Sequence, residues 1–167
     1  MTRSDHSRLT ALGLVALQLM LLAALVVEPP GFWWPRDTLV LTLAAIFALV
    51  GLIVAILGIV GLGPALTASP IPKDGAPLVI HGLYGTVRNP IYTGLMTIGV
   101  GLVVFGASWW HLGTWVLLVL ILAVKTRWEE RMLANAHPEF HEYAARVGRF
   151  IPGIGRLRTE STPGSQQ

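Results

Sequence analysis

The chain has 167 residues, of which 53% are hydrophobic and 13% charged, with a formal net charge of +3 and no cysteine. Soluble domains carry about 25% charged residues, and a chain of this size cannot bury so much apolar surface, so a bilayer is its natural solvent. Without cysteine, thiol catalysis, disulfides and thiolate metal sites are excluded. Most Lys and Arg flank apolar runs, as membrane orientation requires, so the small positive charge does not point to a nucleic-acid partner.

Four apolar spans follow one another. The first, Leu9 to Val27, is 19 residues long and is preceded by Arg3 and Arg8. It is too long for a signal-peptide core and ends in Val26-Val27-Glu28-Pro29, a poor cleavage site, so a retained first helix is expected. Pro29, Pro30 and Gly31 break it, and Phe32-Trp33-Trp34 suits the headgroup zone. The second, Thr38 to Gly63, runs 26 residues without a charge, enough to cross with tilt.

The third and fourth spans share the 36 residues from Asn89 to Val124. At ~1.5 Å per residue these reach about 54 Å, against about 60 Å for two crossings. A tight helical hairpin is predicted, turning near Gly106-Ala107-Ser108, with Trp109, Trp110 and His111 at the far interface. The expected architecture is therefore an all-α integral membrane protein with four transmembrane helices, a tight C-terminal hairpin and an interfacial C-terminal helix.

Charge sets the expected orientation. Arg3 and Arg8 precede the first span, Lys73 and Arg88 lie in the second loop, and seven Lys/Arg lie from Lys125 onward. The positive-inside rule puts both termini and the second loop in the cytoplasm, as in a bacterial inner membrane. The second loop, 64–89, carries Pro64, Pro70, Pro72 and Pro77, which disfavour regular helix. Its apolar Leu78-Val79-Ile80 predicts that part of it packs.

In the tail, Phe140, Tyr143, Ala144 and Val147 form an apolar helical stripe. Pro138 suits its first position, Glu139 its first turn and Gly148 its stop. From Thr159 the composition predicts disorder. One domain thus comprises a helix pair (1–63), a loop, hairpin and lid segment (64–158) and a polar tail (159–167).

Gly82-Leu83-Tyr84-Gly85-Thr86-Val87-Arg88-Asn89-Pro90-Ile91-Tyr92 is the most informative stretch. No Asp, Glu, Lys or Arg separates Arg88 from Lys125. Residues at the mouth of one span can therefore meet Lys125 and Glu129-Glu130 at the exit of the next. Taken singly, each has an ordinary reading: a solvated helix end for Glu129-Glu130, a snorkelling Arg88, interfacial Tyr84 and Tyr92. Gly61-x-Gly63 and Gly99-x-Gly101 lie in apolar spans and read as helix-packing glycines rather than phosphate loops. The five His form no plausible metal set.

The ordered set Tyr84, Arg88-Asn89-Pro90-x-Tyr92, Glu129-Glu130-x-x-Leu133 and Tyr143…Phe150-Ile151-Pro152 resembles the isoprenylcysteine carboxyl methyltransferase family, which includes bacterial phospholipid-methyltransferase-like members. The resemblance covers roughly Leu78 to Pro152. It implies S-adenosylmethionine bound at the cytosolic end of the hairpin, beneath the C-terminal helix. Leu78, Val79, Tyr84, Asn89, Pro90, Ile91, Tyr92 and Glu129 would line the cofactor pocket, with Arg88 and Lys125 on the catalytic side. Two positions depart from the eukaryotic enzymes: Lys125 stands where they have Arg, and Asn89 where they have His. Lys is a point charge rather than a planar fork, and Asn cannot carry a proton near neutral pH.

The residues themselves fit this chemistry. A carboxylate such as Glu129 can accept from the cofactor's ammonium or ribose diol. Methyl transfer from a sulfonium needs alignment and desolvation more than an acid or base. The expected acceptor is a lipid or hydrophobic small molecule entering from the membrane. Two other functions compete: a noncatalytic membrane partner retaining the scaffold, and a nicotinamide-dependent membrane reductase, for which no basic phosphate-binding cluster is evident.

Overall fold

The structure is a computed structural model that describes residues 3–63 and 77–157, the side chains of 3–8 excepted. The described residues form α1 (Arg3–Val27), α2 (Thr38–Leu62), a 3-10 turn (Gly82–Gly85), α3 (Pro90–Gly106), α4 (Trp109–Ala136) and α5 (Phe140–Arg146). The loop residues 64–76 and the expected disorder from Thr159 lie outside them.

Three stretches are long and apolar enough to cross a membrane: Leu9–Val27, Thr38–Leu62 and Trp109–Ala136. α3 is a shorter apolar helix of 17 residues. At ~1.5 Å per residue it is about 26 Å long, below the ~30 Å of a hydrocarbon core. Its ends explain its length. Pro90 occupies the first turn, where its missing N–H costs nothing. Ala107 adopts a left-handed conformation, φ 45°, that stops the helix. The next helix starts at once, because the Ser108 side chain caps α4 by accepting from His111 N.

α2 and α3 make the most extensive helix pair, and the reason is a seam of small residues. Ala44, Gly51, Ala55 and Gly58 are the buried positions of α2. A methyl group at Gly51 would lie 2.6 Å from the Gly94 carbonyl oxygen, and one at Gly101 2.7 Å from that of Ala44. Only hydrogen at these positions lets the two backbones touch, the packing mode available where lipid removes the hydrophobic drive between helices. Of the glycines expected to pack helices, Gly101 lies in this seam, Gly99 lies against the Trp115 ring and Gly61 beside that of Tyr84. Gly63 ends α2 at φ 49°, and among the described residues none lies against it.

α1 packs against α4 through Leu21, Leu25, Leu118 and Leu122, all buried. Most large apolar side chains of α2 from Leu39 to Val60 are exposed, as a helix facing lipid requires.

The first loop and the α3–α4 turn join at one end of the bundle. Gly31 N donates to Gly106 O at 2.7 Å and Trp33 N to Ala107 O at 3.2 Å. The Trp33 ring meets Trp109 edge-on at 4.5 Å. His111, expected at the interface, is instead buried. Gly106 leaves room for its ring, and Nδ1 lies 2.8 Å from Ser108 Oγ.

The other end is wrapped by residues 77–89 and 147–157. Val87 and Gly148 form a parallel bridge, with Arg88 N donating to Gly148 O at 2.8 Å and Asn89 N to Arg149 O at 3.1 Å. This pairing reshapes the tail helix. It ends at Arg146, two residues before Gly148, because Val147 is already extended. It begins at Phe140, after a turn in which Phe140 N donates to His137 O. Its stripe Phe140, Tyr143, Ala144 and Val147 is buried against Leu78, Leu133, Ala134 and Leu157.

Candidate functional site

Two polar groups lie side by side at the α5 end. The first is centred on Glu130, on the buried face of α4. Arg88 Nε donates to Glu130 Oε1 at 2.8 Å, and the Arg149 guanidinium donates to Oε2 at 2.7 and 3.0 Å. Asn89 Nδ2 adds a longer bond to Oε1 at 3.3 Å. Arg88 also donates to the carbonyls of Ala144, Val147 and Gly155. A charge with a side chain 1% exposed is tolerable only when its donors are satisfied, and here they are. Thr93 Oγ1 donates to Phe150 O at 2.9 Å. The start of α3, the exit of α4 and the chain after α5 are thereby clamped into one unit.

The second group faces α1. Lys125 and Glu129 are one turn apart on α4 and so share a face. Tyr92 OH donates to Glu129 Oε1 at 2.6 Å. Lys125 Nζ lies 4.9 Å from the centre of the Tyr92 ring, within cation–π range, and donates to Gln18 Oε1 at 3.0 Å. Lys125 and Gln18 are both buried.

Tyr84 and Tyr143 lie near the two groups. Tyr143 OH donates to Tyr84 O at 2.6 Å, and Tyr84 OH to Gly58 O on α2 at 3.2 Å. Burial, and after it the charge of Glu129, pushes the Tyr84 phenol up to about 12. Burial likewise raises Tyr143, with Arg88 opposing and Tyr84 and Glu130 adding to the rise. Both hydroxyls therefore remain donors at any ordinary pH.

Of the residues singled out in the sequence, Tyr92, Glu129 and Lys125 come together directly. Asn89 and Arg88 belong to the Glu130 clamp, so the contacts of Arg88 are with protein carbonyls and a carboxylate. Pro90 and Ile91 pack against Gly58 of α2. Leu78 packs on the α5 stripe, and Val79 is half-buried beside it in the chain. Arg149 and Gln18 have no role in the sequence reading, and Glu130 enters it only as the neighbour of Glu129. The signal for Gln18 was present: it is the one hydrogen-bonding side chain between Ala11 and Val27. Arg88 and Glu130 carry such a signal too, since a lone ion beside apolar spans needs a partner. Among the described residues no group of three or more His, Cys, Asp or Glu comes together.

Residues 39–139 match the family described as phospholipid methyltransferase. The chain is also similar to the cobalt-zinc-cadmium resistance protein CzcN of Cupriavidus metallidurans, 37% identical over 89 residues, which are 51% of this chain and 40% of that protein. The chain thus spans well under half the length of this relative. No solved structure matches it. The family match runs from the start of α2 to the turn before α5. It takes in Arg88, Asn89, Tyr92, Lys125, Glu129 and Glu130, and leaves out α1 and Arg149. With its long apolar helices and this match over more than half its length, the chain is an integral membrane protein belonging to the phospholipid methyltransferase family.

Proposed function

We propose that the chain is an S-adenosylmethionine-dependent methyltransferase acting on a lipid or hydrophobic small molecule at the cytosolic leaflet. The observation that carries the reading is the Tyr92–Glu129 pair with Lys125 beside it, in a chain of a methyltransferase family. The donor set fits the cofactor. Among the described residues Glu129 takes its hydrogen bond at Oε1, from Tyr92, which leaves Oε2 to accept from an ammonium or a ribose diol. Tyr84 and Tyr92 supply aromatic faces of the kind a sulfonium favours.

Glu129 would hold S-adenosylmethionine there, and the chemistry that the cofactor would supply is an electrophilic methyl group for a lone pair of the acceptor, with the carbon–sulfur bonding pair left on sulfur. The protein's part is to hold, orient and dry the site. Glu129 would accept from the cofactor, and Tyr92 fixes the Glu129 carboxylate. Lys125 orients the acceptor's polar head. The Glu130 clamp keeps α5 and the chain after it over the site as a lid that excludes water. Asn89, bonded within that clamp, positions and does not carry a proton.

In this reading α3 crosses the membrane despite its length, with local thinning or tilt of its neighbours. There are then four crossings, with both termini in the cytoplasm of a bacterial inner membrane. An acceptor arrives laterally from the leaflet.

A second reading draws on the relative named for cobalt, zinc and cadmium resistance: a noncatalytic membrane partner in such a system. A transfer assay separates the two. Purified protein is incubated with methyl-labelled S-adenosylmethionine and total membrane lipid extract. The enzyme reading expects a saturable cofactor site and label in a discrete product; neither saturable cofactor binding nor a labelled product, across lipid extracts and hydrophobic metabolites, favours the partner.

A further inference from the structure

We infer that Gln18, on α1, is a positioning residue for the acceptor side of this site, its amide oxygen holding the Lys125 ammonium against the Tyr92 ring. The inference rests on the methyltransferase reading for the word acceptor, and on geometry alone for the contact. α1 lies outside the matched family segment, which begins at residue 39. Gln18 therefore lies in the part of the chain that the family match does not cover.

Ala11, Gln18, Leu21 and Leu25 are all buried, at spacings of seven, three and four, one stripe facing the bundle. On α4, Leu118, Leu122 and Lys125 are buried at spacings of four and three. The helices run antiparallel, so the leucines of the two stripes form one core, and Gln18 falls opposite Lys125. Gln18 of the α1 stripe thus meets Lys125 of α4's.

Chemistry explains the choice of side chain. An ammonium in a medium of low dielectric needs an acceptor. Among the described residues Lys125 has one hydrogen bond, to Gln18 Oε1 at 3.0 Å, and one ring, that of Tyr92. A carboxylate at position 18 would satisfy the donor but cancel its charge. An amide satisfies it and leaves the positive charge in place for an oxygen on the acceptor's head. Leucine would fill the same space and leave the ammonium free to reach along its flexible stem towards Glu129.

A purely structural role, a polar bond gluing α1 to α4, makes different predictions. Lys73 and Lys125 are the only lysines, so a Lys73→Arg background leaves one lysine for selective carbon-13 labelling and NMR in detergent. Gln18→Leu should move the Lys125 side-chain resonance, and Gln18→Asn less. With labelled S-adenosylmethionine and membrane lipid extract, Gln18→Leu should raise the half-saturating lipid concentration about tenfold, the scale of one hydrogen bond to a charged group. Its affinity for S-adenosylmethionine should change less than twofold, and Gln18→Asn should recover part of the loss. In a Lys125→Met background Gln18→Leu should have no further effect on transfer. An unmoved resonance, additive losses, or cofactor affinity falling in step with the lipid effect would each overturn the inference. A moved resonance in a protein that transfers no label supports the contact and overturns the methyltransferase reading instead.

Discussion

Glu130→Ala should unfold the α5 end while leaving the rest of the bundle helical. The carboxylate is shared by Arg88 and Arg149, and the side chains of Glu130 and Arg88 are 8% and 1% exposed. Removing one partner of a buried ion pair costs about 3–5 kcal/mol, because the charge left behind stays desolvated. Two features place this site at the low end. Arg88 keeps three carbonyl acceptors, and Arg149, 21% exposed, can turn to water. A loss of about 3 kcal/mol corresponds to a fall in melting temperature of roughly 6–12 °C for a chain of this size. Glu129→Gln should cost under about 1 kcal/mol, since an amide oxygen can still accept from Tyr92. Thermal unfolding in detergent measures both, and limited trypsin digestion reads release of the chain after α5 at Arg149 and Arg156. Equal melting temperatures for Glu130→Ala and the parent, or an equal fall for Glu129→Gln, would refute the assignment of Glu130 as the clamp.

Gly94→Val should prevent close packing of α2 and α3, because a methyl there would lie 2.5 Å from the Gly51 carbonyl oxygen; an overpacked seam costs about 1–3 kcal/mol or more, read as loss of monodisperse protein in detergent. Tyr84, raised to about 12 by burial and then by Glu129, should make the fold sensitive to alkali. Its proton is bound more tightly in the folded state, so the stability this contributes is full below pH ~10 and is lost as pH rises towards ~12. Tyr84→Phe should flatten unfolding over that window, and an unchanged alkaline transition would contradict it. Truncation before His137 removes α5, Arg149 and the clamp carbonyls; the product should still insert in membranes but bind S-adenosylmethionine at least tenfold more weakly, and unchanged affinity would make the tail an anchor rather than a lid.

The helices were legible because their signals are local. Asp37 caps α2, Pro90 opens α3, and Ala107-Ser108 turns the hairpin, all within a few residues of the elements they bound. The meeting of Tyr92 with Glu129 was approachable because an uncharged hairpin can only bring its two ends together. Glu130 was undervalued because two adjacent carboxylates point about 100° apart, and nothing local says which one faces Arg88. The partners that decide it, Arg149 and the carbonyls of Ala144, Val147 and Gly155, come from a tail whose path depends on the Val87–Gly148 bridge. Gln18 was hidden for the same reason. Its role depends on which helix α1 packs against, and an apolar stripe does not name its neighbour.

Direct titration of the detergent-purified full chain with S-adenosylmethionine, beside the reduced nicotinamide cofactor, tests the central claim. The account predicts one saturable site for S-adenosylmethionine. Glu129→Gln should weaken it by about 1.5–3 kcal/mol, the scale of a hydrogen bond to a charged group, and Lys125→Met should leave it nearly unchanged. Saturable binding of the nicotinamide cofactor alone, or S-adenosylmethionine affinity indifferent to Glu129, would contradict it.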